Sequence, residues 1–309
     1  MTNLEWLLKG DSVIIHLVNK YLKEKNSSSN NNGLIDKYLQ LINPDTLTWG
    51  NGYYGPKWIS THYTLLDLKY MEVLPDTKLY LDSLMNYINR AWLTNSYDEN
   101  IDKMDLCIAG MFINLLSYGK IQSKHIYQII DYVLARRMKD NGWNCQWNRP
   151  SNPHISSVHT TINVLEGLAE YIKQGYTYKV AEVKDAINKG IECLLSRQLY
   201  YKKGTNEPIH FSMVQHHFPP RWKYDYLRAL EFLAREKYPY SGQMKPGLDL
   251  LKYNIKKGRL TKGTAISGLT HFPVENEKYG RFNTLRAYII LKQYAPELYN
   301  KLLFQEIID

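Results

Sequence analysis

The sequence HFPPRWKYDYLRA at residues 217–229 recurs, with the same order of features, as HFPVENEKYGRFNTLRA at residues 271–287. Both copies run from a His-Phe-Pro turn, through an arginine beside an aromatic residue, to a Leu-Arg-Ala segment. A motif that recurs within one chain is typical of tandem helix pairs, because each pair must bury its apolar face against the next pair. The repeat therefore predicts a chain of stacked helical hairpins.

Two more segments match each other further upstream. STHYTLL at residues 60–66 and SVHTTI at residues 157–162 each place a histidine in the first turns of an apolar helix, and residues 102–116 supply a weaker third member. The number of residues between successive matching segments suits two helices and their loops in each unit. We expect the polar anchors of the five units to meet at one end of the assembly, where loops commonly carry the site. These anchors are His62, Asp105, His159, Asp225 and Asn283.

Helical periodicity dominates the rest of the chain. After Val158, apolar residues recur at steps of three and four, and Ser156 or Ser157 can cap the start of that helix. The pattern predicts an all-α fold, an α/α toroid of about five to six helix-pair repeats over residues 46–309. Residues 1–45 are predicted as an N-terminal helical segment, with a loop at the Ser/Asn-rich run 27–32. A straight solenoid is the main alternative to a closed ring.

Composition narrows the class of protein. The chain has 309 residues and a formal charge of +9, but its basic residues are spread out and form no nucleic-acid module. No apolar run is long enough to span a membrane, the first residues lack the apolar centre of a signal peptide, and the three cysteines have no metal-ligand spacing. We therefore expect a cytoplasmic protein that binds a small anionic ligand, with no nucleic-acid partner. The oligomeric state stays open.

Three segments carry a family resemblance: KDNGWNC at residues 139–145, SSVHTTINVLEGL at 156–168 and GYYGPKW at 52–58. Together with the Leu-Arg-Ala repeats, they resemble the terpenoid cyclase and protein prenyltransferase superfamily, specifically its short bacterial members with squalene-oxidase repeats. The resemblance implies an α/α toroid that acts on an isoprenoid-like, anionic ligand. The chain lacks the DxDD and DDxxD motifs of that superfamily. We therefore predict no cofactor and no metal site, although Cys145 and His159 leave zinc as an alternative.

Four residues are candidates for catalysis. His159 begins a series with Asn163, Glu166 and Glu170 that lies along one helix face, and its ordinary pKa near 6.5 suits a general acid or base. An ordinary polar helix face is the alternative interpretation. The other candidates are the carboxylates Asp105 and Asp225, and Cys145 as a nucleophile with His159 as its base.

Further residues are candidates for binding the substrate. Arginine side chains near one rim would clamp a carboxylate or phosphate, unless they form a structural network that ties one repeat to the next. Aromatic side chains in the loops would line a cavity, unless they only pack between repeats. The candidates are Arg221, Arg228, Arg281, Arg286, Trp58, Trp143, Trp222, Tyr224, His62 and Asn283.

Three functions remain open from the sequence. The first is an enzyme of the prenyltransferase or terpene cyclase type. The second is a carbohydrate-active lyase or hydrolase on an α/α toroid, which would need paired carboxylates such as Asp105 and Asp225. The third is a non-catalytic ligand-binding or scaffold protein.

Overall fold

A computed structural model describes residues 1–25, 31–150 and 153–306, so most of the predicted loop at residues 27–32 lies outside the described residues. The described chain is all-helical, as predicted, and contains only isolated β-bridges beside its helices. The α-helices are α1 (Asn3–Leu8), α2 (Ser12–Leu17), α3 (Leu34–Leu39), α4 (Thr61–Tyr70), α5 (Lys78–Asn95), α6 (Leu106–Tyr118), α7 (Lys124–Ala135), α8 (Val158–Lys173), α9 (Val180–Leu195), α10 (Tyr226–Arg235), α11 (Lys245–Asn254), α12 (Arg281–Tyr294) and α13 (Pro296–Leu303).

Short helical turns fill some of the connections. A π-helical turn, Val18–Leu22, extends α2, and 3₁₀ turns occur at Ile101–Lys103, Phe211–Val214 and Gly242–Met244. No helix among the described residues has the length and apolar character needed to cross a bilayer.

The helices begin where short polar side chains can satisfy free backbone N–H groups. Ser157 accepts a bond from the amide of Thr160 at the start of α8, and Asp225 accepts one from the amide of Arg228 at the start of α10. All five predicted anchors lie at or within three residues of the start of α4, α6, α8, α10 or α12. The sequence repeats therefore mark the first helix of each pair correctly.

The two helices of a pair are buried differently. Helices α6, α8, α10 and α12 are buried on almost every face, whereas α5, α7, α9 and α13 bury one stripe. In α9, for example, Val183, Ala186 and Gly190 are buried while the residues between them are mostly exposed. This contrast indicates two layers, with the first helix of each pair covered by the second.

Successive central helices pack side by side. Helix α4 packs against α6, α6 against α8, and α10 against α12, and α12 also contacts α2 and the turn Val18–Leu22. The shortest approach joins α6 to α8, where a Cβ atom on Gly167 would lie 2.2 Å from the carbonyl oxygen of Gly110. Only glycine lets the two backbones come this close.

One hydrogen bond recurs in three of the units and fixes their register. In each case the hydroxyl of a threonine in the central helix accepts a hydrogen bond from the backbone N–H of a residue in the loop before that helix. The pairs are Trp49 with Thr61 at 3.1 Å, Trp143 with Thr161 at 3.1 Å, and Leu260 with Thr284 at 3.0 Å. In this register His62 corresponds to Ile162, so His62 and His159 are not equivalent positions although their sequence contexts match.

Candidate functional site

A cavity of about 150 Å³ lies between the central helices α4, α6, α8 and α10. The lining begins at the sixth residue of α4, α6 and α8, and it continues to the C-terminal ends of these helices. The loop 218–221 and Tyr21 complete the wall. The lining includes Leu66, Asp67, Lys69, Tyr70, Glu72, Met111, Asn114, Tyr118, Asn163, Glu166, Ala169, Glu170, Lys173, Arg228, Glu231, Phe232, Arg235 and Glu236.

Charged side chains form a large part of this lining, and their charges nearly cancel. Six carboxylates face five cationic groups among the described residues. The carboxylates are Asp67, Glu72, Glu166, Glu170, Glu231 and Glu236, and the cations are Lys69, Lys173, Arg221, Arg228 and Arg235. The cavity is therefore a site of almost neutral total charge, and aromatic side chains such as Tyr70, Tyr118 and Phe232 share its wall.

Most of these charges form ion pairs, and two of the pairs join different helices. Arg228 of α10 binds both carboxylate oxygens of Glu166 on α8, with Nε–Oε1 and Nη2–Oε2 distances of 2.8 and 2.7 Å. Lys69 of α4 lies 2.8 Å from Glu170 of α8. Because a buried ion needs a partner, these pairs join the walls of the cavity and fix the positions of its polar groups.

A second buried pair closes the cavity at the loop 218–221. Arg221 donates to Asp67, and the hydroxyl of Tyr38 donates to the same carboxylate oxygen at 3.3 Å. Burial raises the pKa of Asp67 even though the positive charge of Arg221 opposes the shift. Arg221 is thus committed to a protein carboxylate.

Asn114 of α6 differs from the other polar residues of the lining. Only 6% of its surface is exposed, and its Oδ1 atom has no hydrogen-bond partner among the residues that the structure describes. A buried acceptor without a donor costs about 1–3 kcal/mol. An acceptor of this kind in a cavity wall is available for a hydroxyl or amine of a bound molecule.

The cavity opens near Glu170, Lys173 and Glu236, at the C-terminal ends of α8 and α10. Lys173 and Glu236 are exposed to solvent there. Desolvation raises the pKa of Glu236, and the negative charge of Glu170 raises it further. Burial would also raise the pKa of Glu170. The positive charges of Lys69 and Lys173 outweigh this effect and hold the pKa of Glu170 below its usual range. The surroundings therefore shift the pKa values of these two carboxyl groups in opposite directions.

The predicted catalytic histidine lies at the opposite end of α8. The amide of Tyr224 donates to Nδ1 of His159 at 2.8 Å, and the indole of Trp222 packs against the imidazole ring. Burial, together with the charges of Arg228 and Lys223, lowers the pKa of His159 to about 4. The ring is therefore neutral at pH 7 and acts there as a hydrogen-bond acceptor between α8 and the loop before α10.

Asp225 lies in a buried network at the start of α10. Its Oδ2 atom accepts bonds from the amide and the Nδ1 atom of His217, at 3.1 and 3.0 Å. Burial opposes ionisation of Asp225, but the bond from His217 and the charge of Arg286 hold its pKa below the usual range. Arg286 also donates to Asn283 and to Glu231, and so ties α12 to α10.

The remaining two catalytic candidates lie apart from this network. Asp105 precedes α6 and faces Arg149 at 3.6 Å near the surface. The sulfur of Cys145 lies 3.2 Å from the amide of Cys107 and 3.3 Å from the hydroxyl of Thr160. No described contact joins Cys145 to His159.

The predicted aromatic binding residues act as packing anchors. Trp143 is fully buried and donates to the carbonyl of Val133, Tyr224 donates to that of Leu199, and Trp58 donates to that of Ser267. The Trp222 ring packs beside His159, and its buried Nε1 atom has no partner in the described chain. These contacts agree with the packing alternative for the first three residues.

The last two binding candidates also lie in contacts within the protein. His62 is fully buried between Met111 and Tyr87, and desolvation lowers its pKa to about 3. Arg281 stacks on Trp6 and donates to Glu277. Of the residues that the sequence predicted for the site, Arg221 and Arg228 are those that line the cavity.

The sequence nevertheless contained a partial indication of the cavity. The polar series that begins at His159 continues through Asn163, Glu166 and Glu170, and these last three residues line the wall. Asn114 had no such indication, because it is one polar residue among the mainly apolar residues of α6.

No protein-family model, no curated protein and no solved structure matches this chain. The resemblance to the terpenoid cyclase and prenyltransferase superfamily therefore stays a prediction. No group of three or more His, Cys, Asp or Glu side chains in the described ranges could hold a metal ion.

Proposed function

We propose that the helix pairs close into an α/α toroid. The support is a series of contacts between neighbouring helices. Helix α4 contacts α6 and α6 contacts α8, α10 contacts α12, and α12 connects through α2 and α3 back to α4. The bonds from Arg228 to Glu166 and Asn163 join α8 to α10. A straight solenoid would leave its first and last repeats without this contact.

We further propose that the cavity within this ring binds a neutral, hydroxyl-rich ring such as one sugar residue. The observation that carries the proposal is the near-balance of carboxylates and cations in the lining. Hydroxyl groups can donate to the former and accept from the latter. An engineered cavity of about 150 Å³ holds benzene, so a cavity of this size fits one six-membered ring.

The chemistry that best suits the opening of the cavity is acid–base cleavage of a glycosidic bond. Glu236, with its raised pKa, would protonate the leaving oxygen, and Glu170, with its lowered pKa, would take a proton from the attacking water. Pairs of carboxyl groups whose environments separate their pKa values are the usual devices for this reaction. The proposal is therefore a carbohydrate-active hydrolase.

Thermal shift measurements test the binding proposal. Wild-type protein is heated with neutral monosaccharides, uronates and isoprenyl diphosphates in separate samples. A ligand at 100 times its Kd stabilises the folded state by about 2.7 kcal/mol, which raises Tm by a few degrees. We expect this shift with a neutral monosaccharide. A shift with isoprenyl diphosphate alone would contradict the proposal and favour the family resemblance.

Asn114→Leu provides a sharp control because it separates stability from binding. Leucine removes the unpartnered Oδ1 atom with little change in volume, so the free protein should gain about 1–3 kcal/mol. The same change removes an acceptor for the ligand, so the thermal shift with monosaccharide should shrink. A variant that is stabilised and still shows the full shift would place the ligand elsewhere.

The hydrolase proposal has its own test with chromogenic aryl glycosides of the sugar that binds. Glu170→Gln should lower kcat by about 10²–10⁴-fold, the usual contribution of an acid or base. The matched control is Glu182→Gln, which changes an exposed glutamate on α9 and should leave kcat unchanged. Binding without turnover in the wild-type protein would instead indicate a ligand-binding protein.

A further inference from the structure

The thiols of Cys107 and Cys145 meet away from the cavity, between the start of α6 and the loop that follows α7. The amide of Cys107 donates a hydrogen bond to the sulfur of Cys145 at 3.2 Å. Both cysteines are partly exposed, so a small reagent can reach them. Cys193 is buried elsewhere, against Ser156.

Several donors converge on the sulfur of Cys145. The neighbouring Cys107 side chain lowers the pKa of Cys145 against the opposing effect of burial, and the Thr160 hydroxyl and the Cys107 amide, 3.3 and 3.2 Å from the sulfur, add to this effect. That amide is one of the first N–H groups of α6, which lack partners within the helix and carry its positive end. The same contact raises the pKa of Cys107. The two thiols are therefore unequal: Cys145 favours the thiolate, which is the nucleophilic form.

We propose that Cys145 and Cys107 are a reversible dithiol–disulfide pair that reacts with a low-molecular-weight disulfide such as glutathione disulfide. The Cys145 thiolate attacks one sulfur of the reagent, breaks its S–S bond and releases one glutathione thiolate. Cys107, after losing its proton, attacks the sulfur of Cys145 in this mixed disulfide, and the second glutathione leaves. Two protein thiols are oxidised, one disulfide is reduced, and the two protons pass to the released glutathiones.

The product would join the start of α6 to the loop before α8. These two helices already pack closely against each other, so the cross-link would join segments that are in contact instead of drawing distant ones together. This site does not depend on the proposed hydrolase activity, because it shares no residue with the lining of the cavity.

The experiment incubates the reduced, folded protein with glutathione disulfide and quenches it with acid. Digestion with trypsin without reduction should yield peptides 104–120 and 140–173 linked to each other, with the mass of two hydrogens lost. Brief treatment of the reduced protein with iodoacetamide should label Cys145 at least roughly tenfold faster than Cys107 or Cys193.

Single variants separate the roles of the two thiols. Cys107→Ser should accumulate glutathione on Cys145, because no second thiol resolves the mixed disulfide, whereas Cys145→Ser should leave Cys107 unmodified. Cys193→Ser is the matched control and should form the link at the wild-type rate. Absence of the linked peptides from the wild-type protein, or modification of Cys107 in Cys145→Ser at the wild-type rate of Cys145, would overturn the proposal.

Discussion

Replacing Glu231 by glutamine should destabilise the protein by about 3 kcal/mol at pH 7. The carboxylate of Glu231 is 4% exposed, accepts hydrogen bonds from Tyr70 and Arg286 at 2.7 and 2.6 Å, and forms an ion pair with Arg235 at 2.7 Å. Glutamine keeps the volume but removes the charge and turns an amide group towards these donors. Removing one partner of a buried ion pair costs about 3–5 kcal/mol. We take the lower end because Arg286 keeps Asn283 as an acceptor.

Urea denaturation followed by tryptophan fluorescence measures this change. The matched control is Glu277→Gln, which removes a 60% exposed carboxylate from its pair with Arg281 and should cost less than about 1 kcal/mol. The double variant Glu231→Gln with Arg286→Met should lose less unfolding free energy than the two single variants lose together. Both charges of the pair are then removed, so neither is left buried without the other.

The effect of Glu231→Gln should also depend on pH with a definite sign. Burial opposes ionisation, but the charges of Arg235 and Arg286 lower the pKa of Glu231 in the folded state. Its contribution is therefore present above the unfolded pKa of about 4.3 and is lost as the pH falls through the folded value. The difference from wild type should shrink in acid. If Glu231→Gln loses no more unfolding free energy at pH 7 than Glu277→Gln, the contacts of Glu231 do not stabilise the protein and the reasoning is refuted.

Three further predictions follow from other contacts. Gly167→Ala should cost about 1–3 kcal/mol in a thermal melt, because its Cβ atom would meet the α6 backbone, whereas Gly242→Ala, with open space around it, should cost little. The wild type should lose about 3 kcal/mol of stability as the pH falls from 6.5 to about 4, since the folded protein resists protonation of the His159 ring. His159→Gln should abolish this loss. An unchanged pH profile of stability in urea titrations would contradict this prediction. Thr161→Val should cost about 1–2 kcal/mol in urea, because the amide of Trp143 then lacks its acceptor; a loss near zero would show that another group satisfies it.

The sequence predicted the helical layer well because that information is local. The anchors at Asp105 and Asp225 are followed directly by helices, and apolar steps of three and four mark each helix that they begin. The register between units was harder, because it depends on the hydroxyl of Thr161 and its equivalents and not on the more noticeable histidines. A threonine beside a histidine offers no sequence pattern that distinguishes the two roles.

The site was predicted less well than the helices, for a physical reason. The polar and aromatic residues at the start of a helix are easy to recognise in the sequence. In the folded protein they mostly form caps and packing contacts, as His159 and Trp143 do. The cavity lies towards the other end of the same helices. Its lining depends on which face of each helix turns inward. Asn114 stands out only in the folded structure, because there no neighbouring donor pairs with its Oδ1 atom.

The most direct test of the central claim is a crystal structure of the wild-type chain with the monosaccharide that gives the largest thermal shift. We expect the helix pairs to form a closed ring, with density for one sugar ring inside it, in contact with Asn114 and within reach of Glu170. Density for the sugar beside His159 and Trp222, at the starts of the helices, would contradict the account and restore the site expected from the sequence. An open row of helix pairs would contradict it as well.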